Sequence, residues 1–290
     1  MRAQMRFEIE VALLDLDLTL GCGQTFRWRC NPDGSWSGVL GDQFIDLTQK
    51  GPRVLGEAIP GGKGVKESVL EFLRAQDDIG KIQRRLRRDP VLAFGMARMK
   101  GLRIVKLDEW ECLVSYVLAT YANIPRIMKM VEALGTNYGR RIAHGAYSFP
   151  DRGQLSKATT KELTGLGLGY RAKYVRGLCE LVDESTLSTY SKAPYKRLRE
   201  ELVELPGVGE KVADCVSLFG FGRLESFPID VWIERALARL YKQKGSYTRL
   251  RTFAAGRFGE YAGYAQEYLY HNERMHAREQ ECAFSEQGKK

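Results

Sequence analysis

No stretch of this 290-residue chain approaches the roughly 18 consecutive apolar residues a membrane helix requires, and the N-terminus carries no apolar signal-peptide core. A soluble intracellular protein with no membrane partner is the expectation. The six cysteines (Cys22, Cys30, Cys112, Cys179, Cys215 and Cys282) are scattered, with no CxxC pair and no clustered C-terminal set. Neither zinc nor an iron–sulfur cluster is therefore supported, and reduced thiols are the default. No internal repeat is visible. Gly165-Leu-Gly-Leu-Gly169 is glycine-rich, yet no strand precedes it, so it is a turn ahead of a helix and not a dinucleotide fingerprint.

What the chain has is positive charge and length. A formal net charge of +9 and a pI near 9.2 suit a polyanionic partner without saying which one. Leu14, Leu16, Leu18 and Leu20 alternate with polar residues, and Phe26, Trp28 and Cys30 repeat the period, which predicts half-buried strands. Asn31-Pro-Asp-Gly34 reads as a turn, with further strands at Trp36 to Leu40 and Phe44 to Leu47. From Val65 to Phe72 the pattern turns helical, and after Asp77 it stays so. The fold class is α+β: an antiparallel-sheet domain with following helices over 1–106, then a mainly helical domain over 107–290. Arg84, Arg85, Arg87 and Arg88 read as a solvated helix face. Trp110, Leu113, Val114, Val117, Leu118 and Tyr121 form one stripe of a buried helix; Pro125 opens the next, with Ile127, Met128, Val131 and Leu134 inward. The tail from Arg274 onward is polar and is expected to fray.

Two short stretches carry the chemistry. Leu198, Leu202 and Leu205 recur at helical spacing, Pro206-Gly207 stops them, and Val212, Ala213, Val216 and Phe219 restart the pattern after Gly209. This is helix, tight hairpin, helix over about 198–219. Glycines at 207 and 209 let backbone amides around Val208 approach a phosphate, and the second helix begins with open N–H groups. Lys211 lies in its first turn, as a nucleophilic amine or as a solvated cation near phosphate. Asp230 follows Pro228 and precedes an amphipathic run, as a helix N-cap or as the carboxylate beside that amine. An amine and a carboxylate at adjacent helix starts are the parts needed for attack on a sugar C1′.

Leu205-Pro-Gly-Val-Gly-Glu-Lys-Val-Ala-Asp-Cys215 followed by Pro228-Ile-Asp-Val231 resembles the helix-hairpin-helix DNA glycosylases, and among them the 8-oxoguanine DNA glycosylase/AP lyases. The likeness extends from Leu14 to about Tyr270 through Gly23-Gln-Thr-Phe-Arg-Trp28, Gly167-Leu-Gly-Tyr-Arg-Ala-Lys-Tyr-Val175 and Tyr261-Ala-Gly-Tyr-Ala-Gln266. It implies that Lys211 is the Schiff-base nucleophile and that Asp230 stabilises developing positive charge. It implies a base pocket of Gly23, whose carbonyl accepts the N7–H of 8-oxoguanine, with Cys215, Phe219, Gln266 on the Watson–Crick edge and Tyr270 stacking in place of a Phe. It implies DNA contacts from Asn123, Arg126, Gly207, Val208 and Gly209, from Tyr170 as a wedge, and from Arg171 as reader of the opposite cytosine. Tyr121 and Ala122 stand where well-known members carry asparagines, and Trp232 where eukaryotic ones have a histidine. No cofactor is implied, although the carbonyls of Val203, Leu205 and Val208 match a structural cation site. The expected partner is duplex DNA containing 8-oxoguanine, bound by a monomer.

The alternatives are a sister glycosylase for another oxidised or mismatched base, or a hairpin-bearing DNA-binding protein without chemistry. The iron–sulfur sisters usually carry four cysteines near the C-terminus, where this chain has only Cys282; alkylbase glycosylases generally lack the lysine.

Overall fold

The alternating leucines do not make a strand. In the computed structural model, which describes residues 3–287, the Asp15 carboxylate accepts the Leu18 N–H at 2.9 Å and caps a helix, α1 (Leu16–Gly21). Leu16 and Leu20 are four residues apart, so the same run also satisfies a helical stripe, and the aspartate cap decides between the two.

The sheet is built instead from β1 (Met5–Glu10), β2 (Trp28–Cys30), β3 (Trp36–Leu40), β4 (Gln43–Lys50) and β5 (Arg53–Ile59), antiparallel throughout in the order β1-β5-β4-β3-β2. Two glycines opposite large rings shape its inner face. A Cβ on Gly56 would fall 2.1 Å from Phe7, its cross-strand partner, and one on Gly38 would fall 2.3 Å from Trp28. With those positions bare, the Trp28 ring lies flat and stacks on Phe72 of α2 (Val65–Phe72) at 5.1 Å. That stack joins sheet to helices.

The rest is helical: α3 (Ile79–Leu86), α4 (Pro90–Met96), α5 (Glu109–Leu118), α6 (Ile124–Tyr138), the single turns α7 (Arg152–Leu155) and α8 (Thr160–Leu163), α9 (Arg171–Leu181), α10 (Glu184–Lys192), α11 (Tyr195–Val203), α12 (Glu210–Cys215), α13 (Val231–Tyr241), α14 (Tyr247–Phe258) and α15 (Ala262–Gln287). The buried apolar residues form one cluster that runs from the sheet through α5 into α12 and α15. At residues 106 and 107 the chain is stitched to both sides, Lys106 N–H donating to the Phe72 carbonyl at 2.8 Å and Leu107 N–H to the Phe219 carbonyl at 2.7 Å.

Helix α15 is a second tie. Tyr264 donates to Asp77 at 2.8 Å, Gln83 donates to Tyr268 at 3.3 Å, and Arg274 donates to the Cys22 carbonyl at 2.9 Å. The polar C-terminal run is therefore not a frayed tail: it is helical through Gln287, and Arg274 is held against the loop after α1. Residues 288–290 and the Cys282 side chain lie outside what is described; Cys22, Cys30, Cys112, Cys179 and Cys215 are free thiols.

Tyr121 departs from the stripe predicted for it. Helix α5 ends at Leu118, the backbone turns left-handed at Tyr121 (φ 49°), and its ring is 91% exposed. The stripe rotates outward because the helix stops beneath it.

Candidate active site

The hairpin forms because Gly207 takes a φ of 78° and leaves room for the Tyr174 ring, which would lie 2.7 Å from any Cβ there. Gly209 then starts α12 without a side-chain cap, and the helix runs on through Gly220 in a wider, π-type turn. The open amides of its first turn face the groove lined by Gly207, Gly209 and Lys211. Val208 is different: its side chain is buried in the core and only its main chain is available. Of the carbonyls named as a cation site, that of Leu205 accepts the Val208 N–H at 3.1 Å and so helps close the turn itself.

Lys211 is half-buried, with its Nζ 5.4 Å from the centroid of the Tyr116 ring. Tyr116, on α5, is fixed from three directions: it donates to the Gln24 carbonyl at 3.1 Å, stacks on Phe219 at 5.5 Å and meets Phe26 edge-on. One turn after the lysine, burial pushes the Cys215 thiol up to about 12, against the lowering effect of the nearby Lys211. The thiol is therefore neutral and behaves as an apolar wall beside the amine.

Asp230 caps α13, its Oδ1 accepting from Trp232 N–H at 3.0 Å and Ile233 N–H at 2.9 Å. The capping role and a place beside the lysine hold together: Asp230 and Lys211 line the same cavity. What sets their relation is Asp214, fully buried three residues past Lys211. Its carboxylate accepts from Tyr195 at 2.6 Å, Tyr247 at 2.7 Å and Arg199 at 3.2 Å, while Tyr247 in turn accepts the Ile229 N–H at 3.2 Å. One hydrogen-bonded chain thus runs from the lysine's helix to the residue before Asp230.

The cavity has a volume of about 70 Å³ and brings together Gly23, Lys211, Cys215, Phe219, Asp230, Gln266 and Tyr270, residues that sequence reasoning singled out across more than 240 positions. Gly23 sits at φ 98°, and a Cβ there would come within 2.6 Å of Ile124. The cavity opens into a groove of about 880 Å³ that shares Gly23, Tyr116, Lys211, Asp230 and Tyr270 with it and adds Tyr121, Asn123 and Trp232. Asn123 caps α6, accepting the Arg126 N–H at 3.0 Å, and Arg126 is exposed beside the groove wall. Trp232 is neither core nor free: it is half-buried on the groove, with Arg235 over its ring at 5.2 Å.

Arg171 is the departure. The Tyr-Arg pair is not exposed as a pair: Tyr170 is 47% exposed, but Arg171 is 1% exposed and its guanidinium donates to the Thr120 carbonyl through Nε at 3.0 Å. Tyr170 donates to the same carbonyl at 3.2 Å. Five residues of the cavity were not singled out as site residues by sequence reasoning: Tyr116, Cys22, Gln24, Pro228 and Glu267. The first stands inside the α5 stripe as one more aromatic, and the last is adjacent to Gln266, where only helical rotation tells which face it takes.

Residues 6–113 match the family model described as the N-terminal domain of 8-oxoguanine DNA glycosylase. A probable N-glycosylase/DNA lyase of Methanothermobacter thermautotrophicus is 30% identical over 92% of this chain and 95% of its own length. The N-glycosylase/DNA lyase of Saccharomyces cerevisiae is 32% identical, over 92% and 85%. Among solved structures, the Clostridium acetobutylicum 8-oxoguanine glycosylase/lyase in complex with duplex DNA containing cytosine opposite 8-oxoguanine superposes with a TM-score of 0.86 at 27% identity, covering 96% of this chain and all of the other. With a lysine and a carboxylate at one small cavity, and with relatives aligned along nearly their whole length, the chain belongs to the 8-oxoguanine DNA glycosylase/AP lyase family of helix-hairpin-helix DNA glycosylases.

Proposed function

We propose that Lys211 is the nucleophile and Asp230 its carboxylate partner in the excision of 8-oxoguanine from duplex DNA, followed by cleavage of the strand. The observation that carries this reading is the convergence of both on one cavity with Gly23, Cys215, Phe219, Gln266 and Tyr270, next to a larger groove that shares Gly23, Lys211, Asp230 and Tyr270 with it.

A base inside a duplex hides its C1′, so it must be extruded at a cost of a few kcal/mol. The cavity receives its edge, and the open amides at Gly207 and Gly209 hold the flanking phosphate. As the bond from C1′ to the base nitrogen lengthens, its electron pair leaves with the base and the sugar becomes oxocarbenium-like; the Asp230 carboxylate stabilises that charge. The Lys211 amine adds to C1′, one of its protons completes the departed base, and a second passes to O4′ as the sugar ring opens to the Schiff base. Loss of a 2′ proton then expels the 3′ phosphate, which is β-elimination. In this reading residues 1–106 supply Gly23 and 107–290 supply the amine, the carboxylate and the base-edge residues. The site of action is intracellular DNA.

Borohydride reduction converts a lysine Schiff base into a permanent crosslink. On a labelled duplex with one 8-oxoguanine, the wild-type chain gives a crosslinked band and Lys211→Gln gives none, while lesion binding by the variant stays near normal. Undiminished strand cutting by Lys211→Gln would sink the assignment of the nucleophile. A chain that binds DNA but neither crosslinks nor cuts is a binding protein.

A further inference from the structure

Beside Gln266 the cavity contains a carboxyl group that the mechanism above does not use. Glu267 is 3% exposed and lines the cavity with Lys211 and Asp230. It forms no ion pair among the described residues: the nearby Arg274 donates instead to the Cys22 carbonyl at 2.9 Å and to Tyr270 at 3.4 Å. The Cys22 thiol lies near it but donates to the Thr19 carbonyl at 3.3 Å. Glu267 Oε2 is buried without any partner, and so is Gln266 Oε1, its neighbour on the same cavity wall. Buried acceptors left unmade are costly, and two of them on residues that line one hollow call for a ligand that brings donors.

Donor patterns on base edges discriminate here. A guanine-derived base presents two adjacent donors on its Watson–Crick edge, N1–H and the 2-amino group, whereas adenine-derived and cytosine-derived edges set one donor beside one acceptor. The amide of Gln266 can turn over and present its NH₂ instead. A carboxyl group that ionises as paired donors approach cannot, because both oxygens of the carboxylate accept only.

We propose that Glu267 is a specificity-determining residue of the base pocket, an acceptor that takes the 2-amino donor of a guanine-derived base while Gln266 takes its N1–H. This rests on the excision reading above and names the chemical feature that the pocket selects: paired donors on the base edge.

The test compares excision of 8-oxoguanine with that of 8-oxohypoxanthine, which differs only in lacking the 2-amino group, and with cleavage at an abasic site, which has no base to recognise. Glu267→Leu removes the acceptor at similar volume, and Glu267→Gln restores one oxygen. Loss of one charge-assisted bond lowers kcat/KM on 8-oxoguanine on the order of ten- to a hundredfold in Glu267→Leu. The ratio of 8-oxoguanine to 8-oxohypoxanthine excision falls toward one, Glu267→Gln recovers part of it, and abasic cleavage with borohydride trapping is unchanged in both. An unchanged ratio in Glu267→Leu, or a parallel loss of abasic cleavage in Glu267→Gln, overturns the assignment and leaves Lys211 standing. A wild-type chain that cuts abasic sites but neither oxidised purine overturns the excision reading itself.

Discussion

Glu267 also makes a statement about stability. Burial pushes its carboxyl up to about 7, the nearby Asp230 carboxylate adding to the rise, while the Cys22 thiol and Arg274 work the other way. Between the ordinary carboxylate range and pH 7 the folded chain therefore binds a proton that the unfolded chain has lost, so this residue's contribution falls as pH rises through that window. From the ordinary value of 4.5 to about 7 the change amounts to roughly 3 kcal/mol at about 1.4 kcal/mol per unit. Glu267→Gln is accordingly more stable than the wild type at pH 8, and the gap closes toward pH 4.5. Urea unfolding of the two proteins at both pH values measures it, and a gap independent of pH would contradict the burial argument. A residue that weakens the fold at working pH while facing the reaction cavity is one that recognition, not packing, explains.

At the scale of elements, the support behind Asp230 is the testable part. Tyr247→Phe deletes the hydroxyl that joins Asp214 to the Ile229 N–H. The expected loss is about 1–3 kcal/mol of stability, since a buried carboxylate oxygen and a backbone donor both lose a partner. The rate of base release, read in a single-turnover assay, falls more than lesion affinity does. Equal loss of both would mean that the chain of bonds serves the fold alone.

Much of this level was legible beforehand, for local reasons. Helix α2 was readable to the residue from its pattern, and the Asp230 cap and the hairpin glycines announce themselves by residue type. What was not legible depends on partners far away in sequence. The leucines of α1 satisfy both periods, and Asp15 settles the matter. Tyr121 lies one turn past the end of α5, so periodicity continued into a stretch where the helix had stopped. Arg171 is pinned to the carbonyl of Thr120, 51 residues earlier, and no local signal betrays that bond. The Gly23 loop needed the family likeness to be recognised, because a loop with two glycines is by itself only a loop.

On the scale of the whole molecule, the net charge of +9 and the exposed Arg126 beside the groove predict strongly salt-dependent binding. Each phosphate neutralised contributes about 0.9 to the slope of log K against log salt. Arg126→Ala lowers that slope by about one such contact and weakens damaged and undamaged duplexes alike. Filter binding at a series of salt concentrations separates this from a loss of lesion recognition, which leaves the slope intact.

The pair of main-chain hydrogen bonds that holds residues 106 and 107, with α15 tied to both Asp77 and the Cys22 carbonyl, has a mechanical meaning. The amine and the Gly23 loop approach from opposite sides of a seam that has hydrogen bonds where a hinge would need slack. Such a protein does not open like a jaw to admit its substrate. The duplex must be the compliant partner, bending over the groove at an elastic expense of order 1–6 kcal/mol, so lesions flanked by easily kinked pyrimidine–purine steps should be excised faster than the same lesion in a stiff adenine tract.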